Sequence, residues 1–374
     1  MPATRDLSAV IQSLLAGGDL SFRDFMELAL YHPELGYYMR RESPVGKDGD
    51  YITSPTLTPV FAYAIGRLIA EFLARHRDEV SAIVDLGCGD GTLLHDALDH
   101  VPRELLSRAR VWGVDRSLDR VPAAIREEQR TVFVDSIGDV DRCDSQFVIS
   151  NELFDAFPCA RLVRRGEHLH ELWVTERDGA LDWTEHEAPG AYEDYLASRG
   201  IGLEDGQFAD LSLDWEACYE EIVCFVSNGL IVTFDYGFTD RQLFHPRARR
   251  FGTAASYSGQ RVGRDLLARP GEQDLTAHIN FSDLQRAGER HDFVTLFFDR
   301  QARFLLSLGI TDHELFRPAQ DVSIDSVESG LALIDAREEA KRLVLPDGIG
   351  HDIRVLVQGI GPLLDGWSFQ KQLF

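Results

Sequence analysis

Positive charge is scarce in this chain of 374 residues: 38 lysines and arginines stand against 62 aspartates and glutamates, a formal net charge of −24. That balance argues against a nucleic-acid partner, whose affinity rests on basic side chains facing phosphates. It tolerates a cationic ligand. Lysine is reduced to Lys47, Lys341 and Lys371. Cysteine is sparse as well. Cys88, Cys143, Cys159, Cys218 and Cys224 contain no C-x-x-C pair. Their spacing therefore predicts no metal site, and it predicts reduced thiols in a cytoplasmic setting. The first 20 residues lack a basic stretch followed by a long apolar one, so no signal peptide is expected. No run of about 18 apolar residues occurs, so no membrane-spanning helix is expected. Internal repeats and low-complexity tracts are missing too.

Apolar residues make up 44% and charged ones 27%, the balance of an ordinary globular protein. The length allows a large core with an accessory lobe. "DLSAVIQSLLAGG" and "SFRDFMELAL" read as helices, the second capped by Ser21. "YHPELGYYMRRESPVGKDGDYITSP" reads as an ordered loop and "VFAYAIGRLIAEFLARH" as an amphipathic helix. From residue 82, strands alternate with helices. "AIVDLG", "RVWGVD", "TVFVDS", "SQFVIS" and "GLIVTFDYG" are the strands. Such alternation predicts a parallel sheet with helices on both faces. Residues 151–228 are too many for a simple crossover. Within them "ARLVRRGEHLHELWV" reads as a hairpin turning near Gly166, and "SLDWEACYEEIVCFV" as the helix returning to the sheet. Residues 238–290 read as loop-rich and polar.

The strongest chemical signal is "IVDLGCGDGTLL" at 83–94. A buried strand ends in Asp85, and Gly87, Gly89 and Gly91 follow before a helix begins. Glycines there let the backbone turn tightly and approach a ligand. A dinucleotide would favour G-x-G-x-x-G, with pyrophosphate at the helix start. Here the third glycine comes one position early, and Asp90 would repel a pyrophosphate while suiting an ammonium group. Asp115 ends the second strand where a ribose diol would lie. Asp135 and Ser136 end the third, where an adenine edge could bind. A sugar, a base and a cationic tail without phosphates describe S-adenosylmethionine. Cys88, inside the glycine loop, reads as a small filler.

"FMELALYHPELGYY", "GDYITSP", "VDLGCGDGTLL", "SNELFDAFP", "DYG" and "PGEQDLTAHINF" occur in that order. Together they resemble the MidA family of S-adenosylmethionine-dependent methyltransferases, over residues 8–357. The family's mitochondrial members are complex I assembly factors that methylate an arginine. The resemblance implies an α/β fold: a Rossmann-like class I methyltransferase sheet with an N-terminal helical lid and large insertions after strands 4 and 5. It divides the chain into a lid and cofactor-covering loop (1–80) and a methyltransferase core (81–237) with an inserted hairpin lobe (159–213). An acceptor-side lobe (238–330) and a C-terminal helix with closing strands (331–374) follow. Tyr51, Thr53 and Ser54 match the loop that covers the cofactor. Asn151 and Glu152 fall at the C-terminal end of strand four, where open α/β sheets bind ligands. Asp155 follows three residues after Glu152, so one helical turn would put both carboxylates on one side. Two carboxylates can grip a planar guanidinium. Asp235 and Tyr236 end strand five at the same edge, Tyr257 falls on the acceptor side, and His278 lines the acceptor cleft or removes a proton.

Three positions depart from the family pattern. Where it has "GTLRxYxxH", this chain has "GTAASYSGQ", with Ala255 for the arginine and Gln260 for the histidine. Asn280 stands where an acidic residue is expected. Three readings therefore stay open: methylation of an arginine in a protein or peptide, O- or N-methylation of a small metabolite, and cofactor binding by an assembly factor without turnover. A homodimer is compatible with each.

Overall fold

The computed structural model describes residues 6–40, 54–317, 327–367 and 369. The chain forms two compact units. The sheet unit comprises Ile52–Leu153, Tyr219–Asp235 and Leu284–Phe374, and the second unit Met1–Tyr51, Phe154–Cys218 and Tyr236–Asp283.

In the sheet unit the strands are β1 (Ser81–Leu86), β2 (Ala109–Val114), β3 (Val132–Val134), β4 (Ser145–Asn151), β5 (Gly229–Phe238), β6 (Val294–Arg300) and β7 (Ile353–Ile360). They lie in the order β3-β2-β1-β4-β5-β7-β6. Strands β3, β2, β1, β4 and β5 pair in parallel, while β6 runs antiparallel to β7. All six residues of β1 are buried. A strand covered on both faces reads as an apolar run rather than an alternation, which is why "AIVDLG" is legible. The helix Pro59–Arg75 starts as its sequence dictates. Thr58 caps it by accepting from the Val60 N–H, and Pro59 fills the first position, where its missing N–H costs nothing. Gly66 in this helix faces the helix Thr92–Leu98 so closely that a Cβ would sit 2.4 Å from the Ala97 carbonyl oxygen.

The second unit holds a five-stranded sheet in the order Leu20–Ser21, His168–Arg177, Ala160–Arg165, Phe208–Leu211, with Ala180–Glu187 paired to His168–Arg177. The hairpin turning at Gly166 is present. A second one, which the sequence reading passed over, turns at Asp178 and Gly179, both with positive φ. Residues 238–290 carry more order than expected: a three-stranded sheet of Ala255–Ser258, Arg261–Gly263 and Asp274–Thr276, then the helix Phe281–Arg290. The helices Leu7–Leu15 and Phe22–Tyr31 bury Ile11, Phe22, Phe25, Met26 and Leu30 in one core with Val174 and Leu275. Ser21 caps the second helix by accepting from the Asp24 N–H at 3.1 Å, as its position predicts. Among the described residues no helix is long and apolar enough to cross a membrane.

Asp210 ties this unit together. Its side chain is fully buried. One oxygen accepts from Arg161 at 2.6 Å, the other from the N–H groups of Thr253 and Ala254 at 2.5 and 2.7 Å. Removing one partner of a buried pair leaves a charge and two N–H groups without a mate. Asp210→Ala should therefore cost about 3 kcal/mol of unfolding free energy in urea melts. A loss below about 1 kcal/mol would show that Asp210 is not the clasp.

Candidate active site

The loop between β1 and the helix Thr92–Leu98 is held by backbone bonds and by one carboxylate. Gly87 and Cys88 donate their N–H groups to the Val114 carbonyl at 2.8 and 3.1 Å. Gly87, Gly89 and Gly91 all take positive φ, between 58° and 78°, a conformation in which a Cβ is crowded. An added Cβ on Gly89 meets nothing within 4 Å, so the backbone there borders open space. Asp115, at the end of β2, accepts from the Gly89 N–H at 2.9 Å, the Ser117 N–H at 2.8 Å and Arg120 at 3.3 Å. A carboxylate offers about four acceptor sites, so capacity for a hydroxyl donor remains. Asp90 is spent locally on the Thr92 N–H at 3.0 Å.

Asp85 is different. Its side chain is buried, and its Oδ2 has no hydrogen-bond partner among the described residues. Burial, with the Asp115 and Asp90 carboxylates nearby, pushes it up to about 7. A buried carboxylate without a partner is costly unless a ligand supplies the missing charge or donor. Burial also pushes the Cys88 thiol far up, helped by Asp85 and Asp115. That thiol stays protonated and fills space, as the sequence reading has it.

The remaining expected residues are placed as follows. Asp135 is exposed beyond β3, and the Ser136 hydroxyl caps the turn Ile137–Asp139 by accepting from the Gly138 N–H at 3.1 Å. Tyr51 and Thr53 lie outside the described residues. Ser54 is fully buried, its hydroxyl joined to the Gln301 amide. Asn151 ends β4 opposite Phe234 and donates to the Glu152 carboxylate at 3.2 Å. Glu152 donates its own N–H to the Phe234 carbonyl at 2.8 Å. The helical turn expected over 152–155 is not formed. Glu152 takes φ +52°, which a right-handed turn cannot contain, and a single 3-10 turn, Phe154–Ala156, follows. Glu152 belongs to the sheet unit. Asp155 belongs to the second unit, where it is buried and its carbonyl accepts from the Ala277 N–H at 2.9 Å. Asp235 is fully buried near the end of β5. In the second unit the Tyr236 and Phe238 rings both lie against His278, centroids 6.3 and 5.4 Å away. Half-buried Tyr257 sits mid-strand between Val262 and Asp274.

Sequence reasoning missed Arg120 and Phe133. Arg120 sits on Asp115, with little of either side chain exposed. The Phe133 ring packs where a Cβ on Gly113 or Gly91 would be, at 2.7 and 3.0 Å. Nothing local marks Arg120. Phe133 could have been found as the inward residue of "TVFVDS".

This strand order, with a glycine loop after β1 and an acid after β2, defines a class I methyltransferase fold. Residues 64–298 match the family described as "Putative S-adenosyl-L-methionine-dependent methyltransferase", and the chain belongs to that family. Protein arginine methyltransferase NDUFAF7, mitochondrial, of Danio rerio is 25% identical over 338 residues, 81% of this chain and 76% of the relative. The Drosophila melanogaster homologue of that protein is 35% identical over 316 residues, 74% and 68% of the two chains. A crystal structure from Burkholderia thailandensis with S-adenosyl-homocysteine bound superposes with a TM-score of 0.84 at 25% identity, covering 97% of this chain and 93% of that one. The protein is an S-adenosylmethionine-dependent methyltransferase. Its residues fit that cofactor: the Asp85 Oδ2, without a hydrogen-bond partner among the described residues, can take a cation or donor, Gly89 borders open space, and Asp115 retains acceptor capacity.

The Asp85 carboxyl makes a pH prediction. Its folded value, about 7, lies above the ordinary 3.8, so between those values the folded state holds the extra proton. Stability is then greatest at the acidic side of the window and falls as pH rises toward 7, by up to about 1.4 kcal/mol per unit. Without cofactor, wild type should lose stability between pH 5 and about 7, and Asp85→Asn should lose less. Equal slopes in urea unfolding would show that Asp85 ionises normally.

Proposed function

We propose that this methyltransferase modifies a guanidinium nitrogen of an arginine in a protein or peptide. The names of its relatives support that acceptor, and the carrying observation in this chain is the Asn151–Glu152 pair at the end of β4. Glu152 is held in a left-handed conformation that is uncommon outside glycine, by its N–H bond to Phe234 and the Asn151 amide on its carboxylate. Such conformations persist where surrounding contacts over-determine them, often at functional sites. Bound S-adenosylmethionine supplies an electrophilic methyl group on a sulfonium. Asp115 would hold the ribose, Asp85 would pair with the cationic end, and the glycine loop would leave room for the approach. Glu152 would accept charge-assisted hydrogen bonds from the guanidinium and orient one nitrogen for attack. We place the reaction in the cytoplasm; the five cysteines, all free thiols, support a reducing compartment.

Two variants test this. Gly89→Val should abolish the stabilisation that cofactor gives wild type, roughly 2.7 kcal/mol at a hundredfold excess over Kd. Glu152→Gln should keep that stabilisation and slow labelled-methyl transfer into the protein fraction of a host lysate by on the order of a hundredfold, about 2.7 kcal/mol. Hydrolysis of the labelled fraction should yield methylarginine. Comparable turnover by wild type and Glu152→Gln, or label confined to small molecules, would sink the arginine reading.

A further inference from the structure

The helix Trp215–Phe225 carries Glu220 and Cys224 four residues apart, one turn apart on a single face. His291 directly follows the helix Phe281–Arg290, its backbone N–H held by the Gly288 carbonyl at 2.9 Å. Its Nε2 lies 2.6 Å from Glu220 Oε2, while Arg290 donates to Glu220 Oε1 at 3.0 Å. Arg142 steadies the helix end by donating to the Cys224 carbonyl at 3.2 Å. A carboxylate oxygen, an imidazole nitrogen and a thiol sulfur thus converge, all within 4.8 Å of one another. All three residues belong to the sheet unit, and none to the glycine loop.

A surface ion pair accounts for Glu220, Arg290 and His291, and such pairs contribute little. It does not account for the thiol. Free cysteine is among the most buried residue types, and here Cys88 and Cys159 are buried while Cys224 is exposed. The exposed cysteine is the one that meets an imidazole and a carboxylate. Thiolate and carboxylate together carry two negative charges, which a divalent cation neutralises.

We propose that Glu220, Cys224 and His291 bind a borderline-soft divalent cation, with zinc as the best match. Sulfur, nitrogen and carboxylate oxygen are zinc's donors, and three protein ligands plus water complete a tetrahedron. On binding, the Cys224 S–H bond gives its proton to solvent, and the metal replaces any proton held between His291 and Glu220. Arg290 stays on the outer oxygen of Glu220 and orients it. The ion then ties together the helix entering β5 and the helix entering β6. The role is structural, apart from the methyl-transfer residues.

Cobalt titration of the full chain after chelator treatment tests this. Wild type should develop a thiolate-to-cobalt charge-transfer band and the visible absorption of tetrahedral cobalt, saturating near one equivalent and bleached by zinc. Cys224→Ser should lose the charge-transfer band, and His291→Ala should weaken cobalt binding by at least about tenfold. Unchanged circular dichroism and an unchanged cofactor-induced thermal shift in both variants show that the fold and the methyl-donor site are intact. No band in wild type at millimolar cobalt, or the same band in Cys224→Ser, overturns the proposal.

Discussion

In β1, residues Ser81–Leu86 pair in parallel with β2 on one side and β4 on the other, Leu86 opposite both Val114 and Ser150. Because all three strands point the same way, their C-terminal ends finish at one level. Asp85, Asp115 and the Asn151–Glu152 pair are thereby delivered to one edge of the sheet from positions far apart in the chain. No side chain of the loop could be displaced along a strand without moving its whole register. A slip of one residue would also turn the strand's side chains to the other face. The chemistry of the sheet unit therefore depends on backbone pairing within a buried strand.

Charge is the second constraint. Three aspartates, 85, 90 and 115, surround the glycine loop, and Arg120 bonds to one of them. The N–H groups of Gly89, Ser117 and Thr92 absorb part of the remaining negative potential. Burial first, and the Asp115 and Asp90 carboxylates second, push Asp85 up to about 7. A ligand with a positive centre beside that carboxyl would favour its ionised form. The overall charge of −24 is compatible with a cationic ligand.

Much of this was legible in the sequence because buried parallel strands and glycine turns leave local marks. "AIVDLG" is apolar since β1 is covered on both faces, and alternate glycines follow because the chain must turn with positive φ. The hairpin at Gly166 was read, whereas the neighbouring one at Asp178 and Gly179 was not. Its D-G pair between "ELWVTER" and "ALDWTEHE" is a strong hairpin signal, so this hairpin too is written in the local sequence. Glu152 is another matter. A left-handed glutamate is imposed by the Phe234 carbonyl from a strand 82 residues away, and no local pattern encodes it. Arg120 on Asp115 and His291 beside Cys224 are likewise products of tertiary pairing. The cysteine spacing predicted no metal site because two of the three ligands come from a helix and the third from a loop 67 residues later.

Asn280 shows how a departure from a family pattern can belong to packing. It lies buried in the second unit, where its amide donates to Asp240 at 2.6 Å and to Asp283 at 3.1 Å, and also meets the Tyr195 hydroxyl at 2.9 Å. Tyr195 donates to Asp283 in turn, and Arg199 bonds to the other Asp283 oxygen at 2.7 Å while stacking over the Tyr195 ring. A carboxylate at 280 would face Asp240 and Asp283 with no hydrogen to offer either. Like charges so close cannot all ionise in a buried setting. The amide resolves this by giving both acids a donor. With Asp240 and Asp283 in place, this position calls for a hydrogen-bond donor. The asparagine here is bound to its neighbours rather than to the choice of methyl acceptor.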